Sequence, residues 1–448
     1  MNRRTPRRPG RLRGTDKGFC VAYPLVATLV VLGCAHLTPK SRLTCSVPPA
    51  VRERPVTSFA EAAAALDAPR AEALASTRAQ HEYAAVLRLL RERRLSEVDR
   101  PLVKLIRSPD RDIAATAWAL TLNLLTDRTL PELPKVKDHD QRVYLEALAH
   151  TRSAERWSSP VRPARQALLT YTGDLVLLDV EINGRPAKLM LDTGAEFTVI
   201  GSRLAERAGV RALPGRTKVT GIADGVDARL ASVRLDIGAA RIENHPVWLV
   251  DSSHLEQLSA AGGLPMLGGV IGWNTVKELR ITMDRNEGAL DIERSPRRAH
   301  SQTGFFWFGQ PLVTVQSENG LAMYFQLDTG LTGSRVSRAL AGEAGFGNGY
   351  SAQLSVVSLD GRRMVEGSAH PDTALYVGGA RLVLSRLWAT PPRGKPYGPR
   401  DGVLGADALV RGHIVIDFGS GEVSISPLGA NPCRDAGPLT TYRPPIGR

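Results

Sequence analysis

Two aspartates, Asp192 and Asp328, each open an Asp-Thr-Gly triplet in a chain of 448 residues. An aspartate at a strand end followed by Thr-Gly presents its carboxylate where the chain turns sharply. Glycine permits close backbone approach, and threonine offers a hydroxyl that can bond across to a symmetric partner. One such aspartate alone is an ordinary turn residue. Two brought about 3 Å apart cannot both ionise readily, so the pair holds one proton between them. The ionised member can then draw a proton from water while the protonated member hydrogen-bonds a carbonyl, and the titration belongs to the pair rather than to either residue.

The two triplets sit in matching ladders. Asn183-Gly184 and Asn319-Gly320 place a glycine eight residues before each aspartate, and Leu191 and Leu327 stand directly before it. Ala208-Gly209 and Ala344-Gly345 place a glycine seventeen residues after it. An apolar-Gly element follows in each copy, Gly269-Val270-Ile271-Gly272 and Gly402-Val403-Leu404-Gly405. Asp284 and Asp417 lie twelve residues beyond Gly272 and Gly405, and Gly288 and Gly421 lie sixteen beyond. Landmarks matched in one order read as an internal duplication.

The elements that must carry these residues are short strands. Leu175 to Ile182 is a strand, Asn183-Gly184 a two-residue hairpin turn, and Ala187 to Leu191 the returning strand. Leu312 to Val315 and Tyr324 to Leu327 repeat the pattern, and strands rich in Val, Ile and Leu continue to about Ser426. Helical spacing governs the region from Ser58 to Arg152. Ser58 caps Phe59 to Leu66, Pro69 opens a long helix through Leu95, and Asp110 starts another to Leu125. The fold expected is mainly β, two tandem lobes about a pseudo-twofold axis preceded by a small α-helical domain.

Leu191-Asp192-Thr193-Gly194-Ala195-Glu196, then Val199-Ile200 and Val270-Ile271-Gly272, resembles the retropepsin-like aspartic peptidase family, including its bacterial members. Leu327-Asp328-Thr329-Gly330 with Val403-Leu404-Gly405 resembles the same domain again. The resemblance covers about residues 170 to 428. It implies two closed β-barrel-like lobes that meet at their Asp-Thr-Gly loops in one chain, as in pepsin-like forms. It implies an endopeptidase in which Asp192 and Asp328 form the catalytic dyad. Thr193 and Thr329 would cross-bond the loops, with Gly194 and Gly330 allowing the approach, and the apolar-Gly elements would support them from behind. Extended peptide or protein substrates would lie under flaps. Gly221, Ile222, Ala223, Asp224 and Gly225 stand where the first flap is expected, and Ser358-Leu359-Asp360-Gly361 where the second is. The mechanism needs no metal and no cofactor.

Lobe two departs from the pattern. Leu331 follows its triplet where the family has a small residue, so its bulk is expected to crowd the dyad, and Thr332-Gly333-Ser334 is less apolar than Phe197 to Ile200. Asp284 and Asp417 follow apolar runs and precede glycines, which makes them strand-end turn residues. Glu196 invites an ion pair whose partner the sequence does not name.

The net charge of +13 does not argue for nucleic acid, because seven basic residues against Asp16 place +6 of it in residues 1–33. That segment reads as an export signal: arginines, then an apolar stretch from Phe19 to Leu32, too short for a bilayer span. Val31-Leu32-Gly33-Cys34 resembles a bacterial lipobox, which implies a lipidated Cys34 and a lipoprotein held at the outer membrane, facing the periplasm. Cys45 and Cys433 could then pair in an oxidising compartment or stay as free thiols. The expected organisation is signal 1–33, tether 34–56, helical domain 57–160, lobe one 168–298, lobe two 303–428 and tail 429–448, in a monomer. Two other readings stay open: a non-catalytic module that grips extended peptides on the same scaffold, and lobes that pair with those of a second chain.

Overall fold

The computed structural model describes residues 29–31, 41–92, 94–159, 165–171, 174–219, 225–296, 305–378, 380–391, 397–399, 401–409, 412–417 and 419–427. Six helices come first. α1 (Phe59–Ala64) begins at Ser58 with a full capping box, the Ser58 hydroxyl taking the Glu61 N–H while the Glu61 carboxylate takes the Ser58 N–H. The single helix expected from Pro69 to Leu95 is two helices, with a third beginning at Leu95. α2 (Ala68–Leu74) is capped by Asp67, α3 (Arg78–Arg91) by Thr77, and α4 (Leu95–Leu105) follows. Thr77 accepts the Gln80 N–H and holds its own backbone extended, which breaks the helix. α5 (Arg111–Leu124) starts at Asp110 as its sequence requires, and α6 (His139–Ala154) is capped by Asp138.

Lobe one is built on β1 (Val176–Ile182), β2 (Arg185–Leu191), β3 (Val199–Gly201), β4 (Val226–Ile237), β5 (Ala240–Val250) and β6 (Gly269–Ile271). β1 and β2 close around Asn183 and Gly184 with φ of +51° and +80°, the two positive values a tight hairpin of this hand needs. β6 lies between β2, parallel to it with Ile271 beside Leu191, and β3, antiparallel with Val270 beside Val199. β3 in turn runs parallel to β5, Val199 beside Trp248.

Lobe two repeats this with β7 (Pro311–Ser317), β8 (Ala322–Leu327), β9 (Arg335–Ser337), β10 (Tyr350–Ser358), β11 (Gly361–Val377), β12 (Ala380–Thr390) and β13 (Gly402–Leu404). Leu404 lies beside Leu327, Val403 beside Arg335, and Arg335 beside Trp388. The equivalences Val199 to Arg335, Trp248 to Trp388 and Val270 to Val403 follow from pairing alone. At the outer edge of this sheet, Leu29–Val31 pairs antiparallel with Val356–Ser358.

A third sheet joins the lobes, in the order Glu422–Ser426, His413–Asp417, Leu279–Asp284, Ala289–Arg294, Arg165–Ala167. Thr282 faces Val415 in it, each ten residues past its apolar-Gly glycine, so the pseudo-twofold axis passes between them. Asp284 and Asp417 behave as turn residues: Asp284 accepts the Asn286 and Glu287 N–H groups, and Asp417 accepts the Ser420 N–H. The molecule is mainly β and two-lobed. The helices do not keep a core of their own. Tyr83, Leu87 and Leu102 belong to one apolar cluster with strand residues of both lobes, and Tyr144 and Leu148 pack against Phe197 and Trp248.

Candidate active site

Each triplet is the turn that leaves a strand, β2 for Asp192 and β8 for Asp328, and the apolar-Gly strand behind it holds the aspartate in place. The Asp192 N–H donates to Ile271 O at 3.0 Å and the Asp328 N–H to Leu404 O at 2.9 Å. Across the axis the threonines lock the two turns together. The Thr193 hydroxyl donates to Leu327 O at 2.6 Å and accepts the Thr329 N–H at 3.1 Å. The Thr329 hydroxyl donates to Leu191 O at 2.9 Å and accepts the Thr193 N–H at 3.0 Å. All four bonds are buried.

Within each turn the carboxylate is gripped by the backbone that follows. Asp192 Oδ1 accepts the Gly194 and Ala195 N–H groups, both at 3.0 Å, and Asp328 Oδ1 accepts the Gly330 N–H at 3.1 Å. The glycines face the opposite carboxyl. A methyl group on Gly194 would stand 2.4 Å from Asp328 Cγ, and one on Gly330 2.5 Å from Asp192 Cγ. Only glycine lets the two loops approach this far. Burial pushes the Asp328 carboxyl up to about 7, against the pull of Arg335, the Gly330 N–H, the Asp192 side chain and the Leu331 N–H. Asp328 therefore holds its proton through weakly acidic pH, below about 7, and can donate there.

Residues 178–275, lobe one through its apolar-Gly turn, match the family model described as aspartyl protease. Lobe one is thus similar to that family. Among solved structures the chain is similar to a retropepsin-like aspartic protease from Rickettsia conorii, at 16% identity over 31% of this chain and 94% of that one, TM-score 0.22. It is also similar to Basic 7S globulin from soybean, at 13% identity over 62% of this chain and 99% of that one, TM-score 0.36. No curated protein sequence matches.

Behind the triplet lobe one has a hydroxyl support that lobe two copies. Thr198 Oγ1 accepts the Gly272 N–H at 3.1 Å, and the Thr198 N–H donates to Asn274 Oδ1 at 2.7 Å. Ser334 Oγ accepts the Gly405 N–H at 3.0 Å, and the Ser334 N–H donates to Asp407 at 3.0 Å. Burial pushes Asp407 up to about 7, with the Ser334 hydrogen bonds opposing. Thr198 and Ser334 stand six residues after each aspartate, and Asn274 and Asp407 two after each apolar-Gly glycine. Those shared offsets were a readable signal that the landmark ladder passed over.

Leu331 does not crowd the turn. Its side chain packs with Leu354, Val356, Ala369 and Trp388 in the wall of lobe two, and its carbonyl takes the Ala406 N–H at 2.6 Å as Ala195 O takes that of Trp273. Glu196 is buried, and its charged neighbour is Arg152 from α6. Gly221, Ile222, Ala223 and Asp224 of the first flap lie outside the described residues. Gly225 is described, and its N–H reaches Asp360 Oδ2 at 3.2 Å, so the hairpin between β10 and β11 meets the last residue of the expected first flap. The tip of that hairpin, Leu359, is buried and lines an apolar pocket in lobe one with Asp192, Phe197, Trp248 and Leu258. Its free volume is about 10 Å³, room for about one water molecule. Cys45 is disulfide-bonded; Cys34 and Cys433 lie outside the described residues. Among the described residues no group of His, Cys, Asp and Glu is placed to hold a metal ion, and no helix is long and apolar enough to cross a membrane.

Proposed function

We propose that the protein is an aspartic endopeptidase in which Asp192 and Asp328 share one proton and activate a water for attack on a peptide carbonyl. The carrying observation is the cross-bonded pair of Asp-Thr-Gly turns, with each glycine against the other lobe's carboxyl. The elevated Asp328 titration supports its role as the protonated member, donating to the carbonyl oxygen. Asp192, holding the Gly194 and Ala195 N–H groups, is the member that takes the proton from water. Thr193, Gly194, Thr329 and Gly330 keep the two carboxyls in register. Export and attachment to a membrane through a lipidated Cys34 belong to the same proposal, supported by the arginine-rich start, the apolar stretch and the small-residue motif before that cysteine.

The test is mature protein incubated with a diverse peptide mixture from acid to neutral pH, products read by mass spectrometry. Asp192→Asn and Asp328→Asn should each lose at least about 100-fold in cleavage rate while keeping the wild-type circular dichroism spectrum. Cleavage at the wild-type rate by either variant would remove the dyad assignment.

A further inference from the structure

The pocket beside Asp192 has an aromatic back wall that does not stand on lobe one alone. Phe197 and Trp248 stack there with centroids 4.3 Å apart and planes at 21°. Each is held from behind by α6. The Trp248 indole N–H donates to the Tyr144 hydroxyl at 3.1 Å, in a buried contact. The Arg152 guanidinium lies over the Phe197 ring, 4.9 Å from its centroid, and is itself tied by its Nη1 to Leu122 O at 2.6 Å at the end of α5. Residues 144 and 152 are eight apart, just over two helical turns, so they project from one face of α6, with Leu148 between them packed into the same cluster.

Lobe two shows what the pocket position looks like without this support. Trp388 occupies the place of Trp248, but Gly333 stands where Phe197 does, and the cation over the indole is Arg386, two residues away on the same strand. The helical segment therefore reaches into one of two equivalent positions. We propose that Tyr144 and Arg152 are positioning residues for the lobe-one pocket. They hold the Phe197–Trp248 pair in the plane that selects a bulky apolar side chain of a peptide substrate. Without the Tyr144 hydroxyl the buried Trp248 N–H has no such acceptor and the indole turns. With Arg152 shortened to lysine the flat cation over Phe197 is lost while the charge near Glu196 stays. The inference rests on the aspartic-peptidase reading of the same site.

The experiment uses the full chain and peptide isosteres with a central hydroxyl in place of the scissile carbonyl. They are identical except for Ala, Leu or Phe at the position flanking that hydroxyl, on either side in turn. In the wild type, on one side, Phe or Leu should bind at least about tenfold more tightly than Ala, the discrimination an apolar pocket supplies. Tyr144→Phe and Arg152→Lys should each shrink that ratio at least about threefold, because the wall that reads side-chain size has moved. A merely structural loss lowers every affinity by one factor and leaves the ratio at its wild-type value. That result would overturn the positioning role while leaving the dyad reading intact. If no isostere binds the wild type, the dyad reading falls and takes this inference with it.

Discussion

Arg335 stands where lobe one has Val199, and the exchange puts a buried positive charge beside one carboxyl of the pair. Its pull on Asp328 is downward, against the larger upward push of burial. Raised above the ordinary carboxylate value, Asp328 keeps its proton up to about pH 7 and loses it above that. Peptide cleavage should therefore fall off on the alkaline side of about 7. Arg335→Met removes the downward pull, so the alkaline limb of a kcat profile should move to higher pH. A limb that stays put or moves down would show that Arg335 does not act on the pair. In the sequence only Thr332-Gly333-Ser334 stood out as less apolar, and Arg335 was not read as a neighbour of Asp328, because only strand pairing shows that a side chain seven residues past the aspartate returns to the same wall.

At the scale of elements, the two turns depend on four hydrogen bonds that neither lobe can make alone. Thr193→Val keeps the shape and removes one hydroxyl, leaving Leu327 O and the Thr329 N–H buried without that partner. The cost should be roughly 2–5 kcal/mol, two unsatisfied backbone groups, read by denaturant titration with the mutant compared to wild type. A change under about 0.5 kcal/mol would mean water has replaced the hydroxyl. These turns, the Asn183-Gly184 hairpin and the apolar-Gly strands were all legible, since turn chemistry and register are local. The α2–α3 break was legible only in part. Pro69 was read as a helix start, yet Thr77 competes as a cap within an otherwise helical run, and packing decides between them.

Across the whole molecule, the helices share their core with both lobes rather than standing beside them. Tyr83 donates to Tyr397 O at 3.1 Å in lobe two, while Tyr144 takes the Trp248 N–H in lobe one. Arg54, ahead of α1, forks onto Asp401 at 3.0 and 2.8 Å, and Asp401 directly precedes β13. Helical and β structure should thus melt together: the far-ultraviolet helix signal and the near-ultraviolet aromatic signal should share one midpoint in thermal unfolding. A helical transition separated from the aromatic one would show an independently folding segment. None of this docking was legible in the sequence, where the helical faces looked self-sufficient and their partners lie 104 to 347 residues away.

Leu359 brings a residue of lobe two into the wall of the lobe-one pocket. On the proposed function, a substrate side chain would find only about 10 Å³ of free volume there, because this leucine closes the wall from the tip of a two-stranded hairpin. Because the leucine belongs to the same chain, dilution does not remove it, and widening the pocket would mean bending the hairpin away from Asp192. The hairpin's stiffness, coded by the residues of β10 and β11 far from either aspartate, then acts as a threshold on what the pocket admits.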